Sequence, residues 1–395
     1  MSAQDEDIEV APARTLDIEP LLPWQSEPVA ALLSRRDNWH HGMLLHGPSG
    51  TGLRRMALHL AQGLLCRTPG EDGLACGRCD ACRLFVAGNH PDFRLVERLW
   101  NEKGEGEARL RDEIIINQVR ALIDDFLYLT SHRQGAKVVL IHLAEEMNDA
   151  AANAILKSLE EPPESTFFIL VSHQLRLLKP TIVSRCRRVP APQPSAAEAE
   201  RWLAEQGDNE SRAAAPSPAI ALAQAGGAPL KALAMLEPEY QSERKRFLDR
   251  LSDPRRMSVA AMGAELEVGP RALRKARLEL WIDWLTTWTY DLARISALLD
   301  ATGDATGNAT GNATGNQGGN VHSNVTASVH PPLPYYHPDF ADALSALAAK
   351  VAAVPVLRYH RTLLQDRALL SHPLNPRLVV ENALHGYRHT VATAA

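Results

Sequence analysis

Met43-Leu-Leu-His-Gly-Pro-Ser-Gly-Thr-Gly-Leu-Arg54 is the stretch that decides the fold of this chain of 395 residues. A short apolar run enters a turn carrying Gly47, Gly50 and Gly52, and the RRMALHLAQGLLC that follows repeats apolar residues at helical spacing. Strand, glycine turn and helix in that order make a phosphate loop, in which backbone N–H groups and a helix N-terminus cradle phosphates. A working loop then needs a lysine for the β and γ phosphates and a hydroxyl for Mg²⁺. Those positions hold Leu53 and Arg54. Arg54 reaches a phosphate only if the loop shifts by one residue, and nothing supplies the hydroxyl. The strand expected at Lys137-Val-Val-Leu-Ile leads into His142 and Leu143, where an acidic pair for the metal belongs. Alone, the loop would stand equally well for a plain glycine turn. Two independent losses on one scaffold argue instead for a nucleotide-binding fold kept for its shape.

Working outward, Lys137–Met147 begins with a run buried on both faces, Asp149–Glu161 starts at an expected Asp149 N-cap and stops before Pro162-Pro163, and Thr166–Ser172 is β-rich. Strand, helix, strand predicts a parallel sheet with crossover helices. The cluster Pro190-Ala-Pro-Gln-Pro marks a boundary, after which the sequence turns Ala-rich and helical. The expected domains are an α/β domain over 20–190, a small helical domain over 191–238 and a longer helical domain over 239–395. The tract 301–330, which opens with four copies of a four-residue Ala-Thr-Gly unit, is expected to be a disordered insertion.

Composition excludes several classes. With 45% hydrophobic and 23% charged residues the chain is neither disordered nor a rod, and no apolar run is long enough for a bilayer. The net charge of -5 equals that of residues 1–20, with six acids and Arg14, so 1–19 is expected to be an acidic flexible tail. The neutral remainder argues against a protein that grips nucleic acid by blanket phosphate neutralisation. The N-terminus lacks a secretory signal and the cytoplasm is the expected compartment.

Cys76-Gly-Arg-Cys79-Asp-Ala-Cys82 sets three cysteines in overlapping spacing, with Cys66 ten positions earlier. Four thiolates so placed suit a closed structural Zn²⁺ site. An iron-sulfur cluster would want its fourth cysteine soon after the third, followed by proline, whereas the next is Cys186. Trp281, Trp284, Leu285, Trp288 and Leu292 share one helix face, expected to be buried rather than a base-stacking platform. No Ser/His/Asp or Cys/His set suggests covalent catalysis.

Taken together, the cysteine module inside a phosphate-loop domain, Asn153-Ala-Ile-Leu-Lys-Ser-Leu-Glu-Glu-Pro-Pro163, the triplet Ser184-Arg185-Cys186 and the helical domains behind them resemble the bacterial DNA polymerase III clamp-loader family over about residues 20–395. Within it, the eroded loop and lost acidic pair resemble a subunit that does not hydrolyse ATP, unlike the gamma and tau subunits. The resemblance implies an AAA+-like α/β domain with a parallel sheet and an inserted zinc module (Cys66, Cys76, Cys79, Cys82), followed by two all-α domains, a lid and an oligomerisation collar. It implies structural Zn²⁺, no productive ATP binding, and a third lost nucleotide contact at Leu230, where active subunits carry an arginine. It further implies a stator assembled with gamma/tau ATPase subunits and a delta subunit, acting on the sliding clamp and primed DNA. Arg185 would then serve as an arginine finger in a neighbouring ATP site. Such a chain is no enzyme by itself, only part of a DNA-directed DNA polymerase holoenzyme. The competing readings are an ATPase subunit using Arg54 in an atypical loop, and a stand-alone zinc and DNA-binding module.

Overall fold

The structure is a computed structural model and describes residues 15–36, 39–101, 109–110, 113–129, 135–206, 216–307, 335–368, 370 and 374–392. The rest of the acidic lead-in (1–14) and of the insertion (308–330) lies outside the described residues. The chain divides into two compact units, Met1–Ser195 and Ala196–Ala395, with the break just past the proline cluster.

The first unit is built on a five-stranded parallel sheet in the order β2-β5-β6-β1-β7. Its strands are β1 (Gly42–His46), β2 (Phe93–Val96), β5 (Lys137–His142), β6 (Thr166–Ser172) and β7 (Arg187–Pro190), and a short β3–β4 hairpin (Trp100–Asn101, Arg109–Leu110) stands apart. Alternate residues of the central strands feed two separate cores. Val139, Ile141, Phe168, Leu170 and Leu44 face one, and Val138, Leu140, Ile169, Val171 and Leu45 face the other. Helices α4 (Ile116–Leu122), α5 (Asp149–Glu160) and α6 (Pro180–Val183) cover the first, and α1 (Pro23–Leu33), α2 (Leu53–Leu65) and α3 (Asp80–Val86) cover the second. A sheet covered on both faces is why its strands read as continuous apolar runs instead of alternating ones.

Two local details differ from the sequence reading. The N-cap of α5 is Asn148, whose extended backbone lets its side chain accept from the Ala151 N–H at 2.9 Å, so Asp149 is the first helical residue. Residues 15–19, read as the end of the acidic tail, lie against this unit. Leu16 donates its N–H to the Val86 carbonyl at 2.9 Å, Leu16 and Ile18 pack on the second core, and Glu19 pairs with Arg55.

The second unit is helical: α7 (Ala196–Gln206), α8 (Pro218–Gln224), α9 (Pro229–Ala234), α10 (Pro238–Ser252), α11 (Val259–Glu265), α12 (Arg271–Gly307), α13 (Ala341–Ala348), α14 (Ala353–Ala368) and α15 (Pro376–Ala392). Helices α10–α15 share one core that includes Trp281, Trp284 and Trp288, so the tryptophan face is interior. Their indole N–H groups donate to Glu243, Tyr240 and Tyr387 at 3.1, 2.8 and 2.9 Å. Helix α12 also takes in residues 301–307, the first part of the tract expected to be disordered. Extending an existing helix adds a hydrogen bond per residue without a new nucleus, so a packed helix runs past its last apolar side chain. The chain resumes at Tyr335, where Asp291 of α12 accepts the N–H groups of Tyr335, Tyr336 and His337 at 2.8, 2.9 and 2.9 Å.

Candidate functional site

The glycine loop lies between β1 and α2 at the carboxyl ends of the parallel strands, where open α/β sheets bind ligands. Its shape demands the glycines. Gly50 and Gly52 have φ of 81° and 82°, and a Cβ on Gly52 would come within 2.6 Å of the Leu22 side chain. The loop is pinned from below by a residue the sequence did not single out. Gln25, fully buried on α1, donates its amide to the carbonyls of Thr51 and Gly52 at 3.1 and 3.0 Å. The Thr51 hydroxyl donates to the Pro48 carbonyl at 2.8 Å, and His173 Nδ1 lies 3.0 Å from the Gly47 carbonyl oxygen.

Where a phosphate-binding cation belongs, Leu53 is packed in the core at 1% exposure. Arg54 is turned to a carboxylate of the chain itself, with Nη2 3.7 Å from Glu97 Oε2. His142, at the end of β5, lies 3.7 Å from the same oxygen. Burial, helped first by the nearby Arg54 guanidinium and also by that of Arg98, holds the His142 imidazole down to about 4, so it is neutral at pH 7. Leu143 adopts a left-handed backbone (φ 61°) that starts the short turn Ala144–Glu146. That turn carries two acids, Glu145 and Glu146, beyond the expected pair. Glu145 Oε1 accepts the His173 N–H at 2.8 Å and Glu146 pairs with Arg98 at 2.8 Å. Burial pushes the Glu146 carboxyl up to about 7, against the pull of Arg98. Around the loop, then, Arg54 and His142 share Glu97 and Arg98 takes Glu146, while Glu145 takes a backbone amide and its Oε2 is buried without a hydrogen bond among the described residues.

The cysteine module is organised differently. Cys66 ends α2, Cys79 caps α3, Cys82 lies inside α3, and Cys76 precedes the left-handed Gly77 (φ 71°). A turn closed by the Gly70 N–H on the Leu74 carbonyl and the Gly73 N–H on the Gly70 carbonyl, both 2.9 Å, brings Cys76 back to Cys66. All four sulfurs lie within 4.8 Å of one another, with Cys66–Cys79 at 3.9 Å and Cys76–Cys82 at 4.0 Å. A tetrahedral ion with metal–sulfur bonds of about 2.3 Å needs sulfurs about 3.8 Å apart, so the donor set fits Zn²⁺. Backbone N–H groups of Cys76 and Cys79 point at Cys66 and Cys76 sulfurs at 3.3 and 3.4 Å, favouring thiolates. The Thr68 hydroxyl, donating at 3.3 Å, leads the contacts that hold Cys76 down to about 5, while burial pushes Cys66 and Cys82 up. These four cysteines can form a metal site. Cys186 is not part of it: buried beneath β1 and α6, it belongs to the first core and its thiol is pushed up to about 11 by burial.

Arg185 follows α6 and is half-buried. Its Nε donates to Glu160 Oε1 at 2.7 Å and its Nη2 to the same oxygen, while Nη1 donates to the Thr181 carbonyl at 2.8 Å and the Ser184 hydroxyl at 3.3 Å. The two segments that carried the resemblance, Asn153–Pro163 and Ser184–Cys186, therefore meet through this contact. Arg185 is not brought to the chain's own loop by any hydrogen bond or ion pair among the described residues. Leu230 is half-buried near the start of α9.

Comparisons with known sequences point to one group. The sequence model of a family described as "DNA polymerase III, delta subunit" matches residues 29–194. The DNA polymerase III subunit delta' of Pseudomonas aeruginosa is 37% identical over 287 residues, 72% of this chain and 80% of its own. The subunit delta' of Yersinia pestis is 38% identical over 235 residues (58% of this chain, 66% of its own), and that of Escherichia coli 33% over 215 residues (54% and 59%).

Proposed function

Because the chain belongs to the DNA polymerase III delta' family, we propose that it is the non-hydrolysing stator of a replicative clamp loader, assembling with gamma/tau ATPase subunits and a delta subunit to place a sliding clamp on primed DNA. The observation that carries this reading is Leu53. Its side chain occupies the lysine position and is buried at 1% exposure, so this loop has no cation there to meet a phosphate, while Gln25 keeps the loop's shape. The competing ATPase reading depends on Arg54, and that guanidinium is turned to Glu97. Arg185 is the group this chain contributes outward, entering the neighbouring ATP site to spread the charge of the transferring phosphoryl group. Cys66, Cys76, Cys79 and Cys82 hold a structural Zn²⁺, which supplies folding energy and no open coordination position. The small helical domain and the collar, 191–238 and 239–395, serve as lid and oligomerisation surface.

Reconstitution tests the reading. Arg185→Ala should leave the chain folded and assembled with gamma/tau subunits by gel filtration, and reduce hydrolysis at the adjacent site on the order of 10³-fold, as for arginines supplied in trans. Unchanged hydrolysis refutes the finger role. Turnover of ATP with Mg²⁺ by the isolated chain favours the ATPase reading, and failure to assemble with the partner subunits favours the stand-alone module.

A further inference from the structure

Glu160 and Arg185 lie far apart in sequence, one in the last turn of α5 and the other just after α6. A guanidinium offers five N–H donors in a rigid fork and accepts nothing. Here all three nitrogens are engaged within the chain: Nε at 2.7 Å and Nη2 on Glu160 Oε1, and Nη1 at 2.8 and 3.3 Å on the Thr181 carbonyl and the Ser184 hydroxyl. The same fork fits a carboxylate or a phosphate. Four of the five N–H donors and the positive charge are taken up in this way, so offering the fork to another molecule's phosphate means exchanging one anion for the other. Exchange is open to it, because the side chains of Arg185 and Glu160 remain 30% and 48% exposed.

We infer that Glu160 is a positioning residue: an internal stand-in for phosphate that holds Arg185 withdrawn until a phosphate of the neighbouring subunit displaces it. The inference rests on the reading of Arg185 as a group acting in trans. Thr181 and Ser184 fix the direction of the arm, and Glu160 supplies the competing charge. An incomplete assembly then leaves the arginine on its own carboxylate, and hydrolysis waits for the geometry that closes the site.

The test uses the reconstituted loader with Glu160→Gln, which keeps the side chain's size and loses its charge. Hydrolysis without DNA should rise about two- to fivefold, the worth of one partly exposed ion pair, while the DNA-stimulated rate changes less. The double variant with Arg185→Ala should match Arg185→Ala alone in both rates. In the isolated full-length chain, the Arg185 Nε–H should exchange with solvent faster in Glu160→Gln than in the unmodified protein by NMR, a readout independent of hydrolysis. If Arg185→Ala lowers hydrolysis and Glu160→Gln changes neither rate, the restraint is overturned and the trans role stands. If Arg185→Ala changes neither rate, the trans role falls and the inference falls with it. Equal Nε–H exchange in the two chains overturns the restraint whatever the rates show.

Discussion

The phosphate loop and the cysteine module are both short turns that fold around something small, and they are completed from opposite directions. At the loop, Gln25 takes the backbone carbonyls, Glu97 takes Arg54, and Leu53 fills the core. At the module, four sulfurs converge within 4.8 Å and the surrounding turn contributes few apolar side chains of its own. A turn satisfied from within tolerates losing its ligand. One whose four sulfurs point at a common centre would depend instead on the ion they can hold.

That contrast orders the expected effects. The largest belongs to the module: chelation or Cys82→Ala should unfold 66–82, since structural zinc contributes about 10 kcal/mol or more in small zinc-binding peptides. Metal analysis and thermal unfolding with and without chelator read it, and a zinc-free preparation of equal stability breaks the comparison. Next comes Leu53→Lys, which restores the missing cation by placing an ammonium in the core. A loss of about 2–4 kcal/mol in urea unfolding is expected, without ATP turnover, because neither the hydroxyl nor the acidic pair returns. Turnover in that variant means the loop lacked only its lysine.

The smallest effect is in the pH dependence. His142 titrates near 4 in the folded chain against 6.5 ordinarily, so the unfolded chain takes up the proton first. Its contribution to stability is complete above pH 6.5 and is lost progressively as pH falls through 4. Glu146 runs the other way, with a folded value near 7 above the ordinary 4.5, so its contribution is present below 4.5 and lost as pH rises through 7. The difference between the unmodified protein and His142→Gln in urea unfolding from pH 7 to 4 isolates the histidine. A flat difference removes it from the loop's internal network.

What the sequence made legible follows from range. The strands at Lys137–His142 and Thr166–Ser172 coincide with their apolar runs because burial on both faces leaves no alternation to misread. The cysteines were legible because a small module puts its donors close together along the chain. Gln25 and Glu97 were not, since each acts on a partner more than 25 residues away and a lone Gln or Glu in a helix or loop carries no local mark; Glu160 stood inside Asn153–Pro163, but nothing local announced its bond to Arg185. The extension of α12 through 301–307 was hidden for the opposite reason: its residues look unfit for helix, and the packed segment before them decides.

Asp291 has a consequence for how the second unit tolerates change. By gathering three successive amides at Tyr335, Tyr336 and His337, it gives the returning chain a fixed landing point on the helix from which it left. Asp291 is thus a clasp inside one unit: without its carboxylate three backbone N–H groups would have to find other partners, so its loss would be felt at Tyr335–His337 as much as on α12 itself.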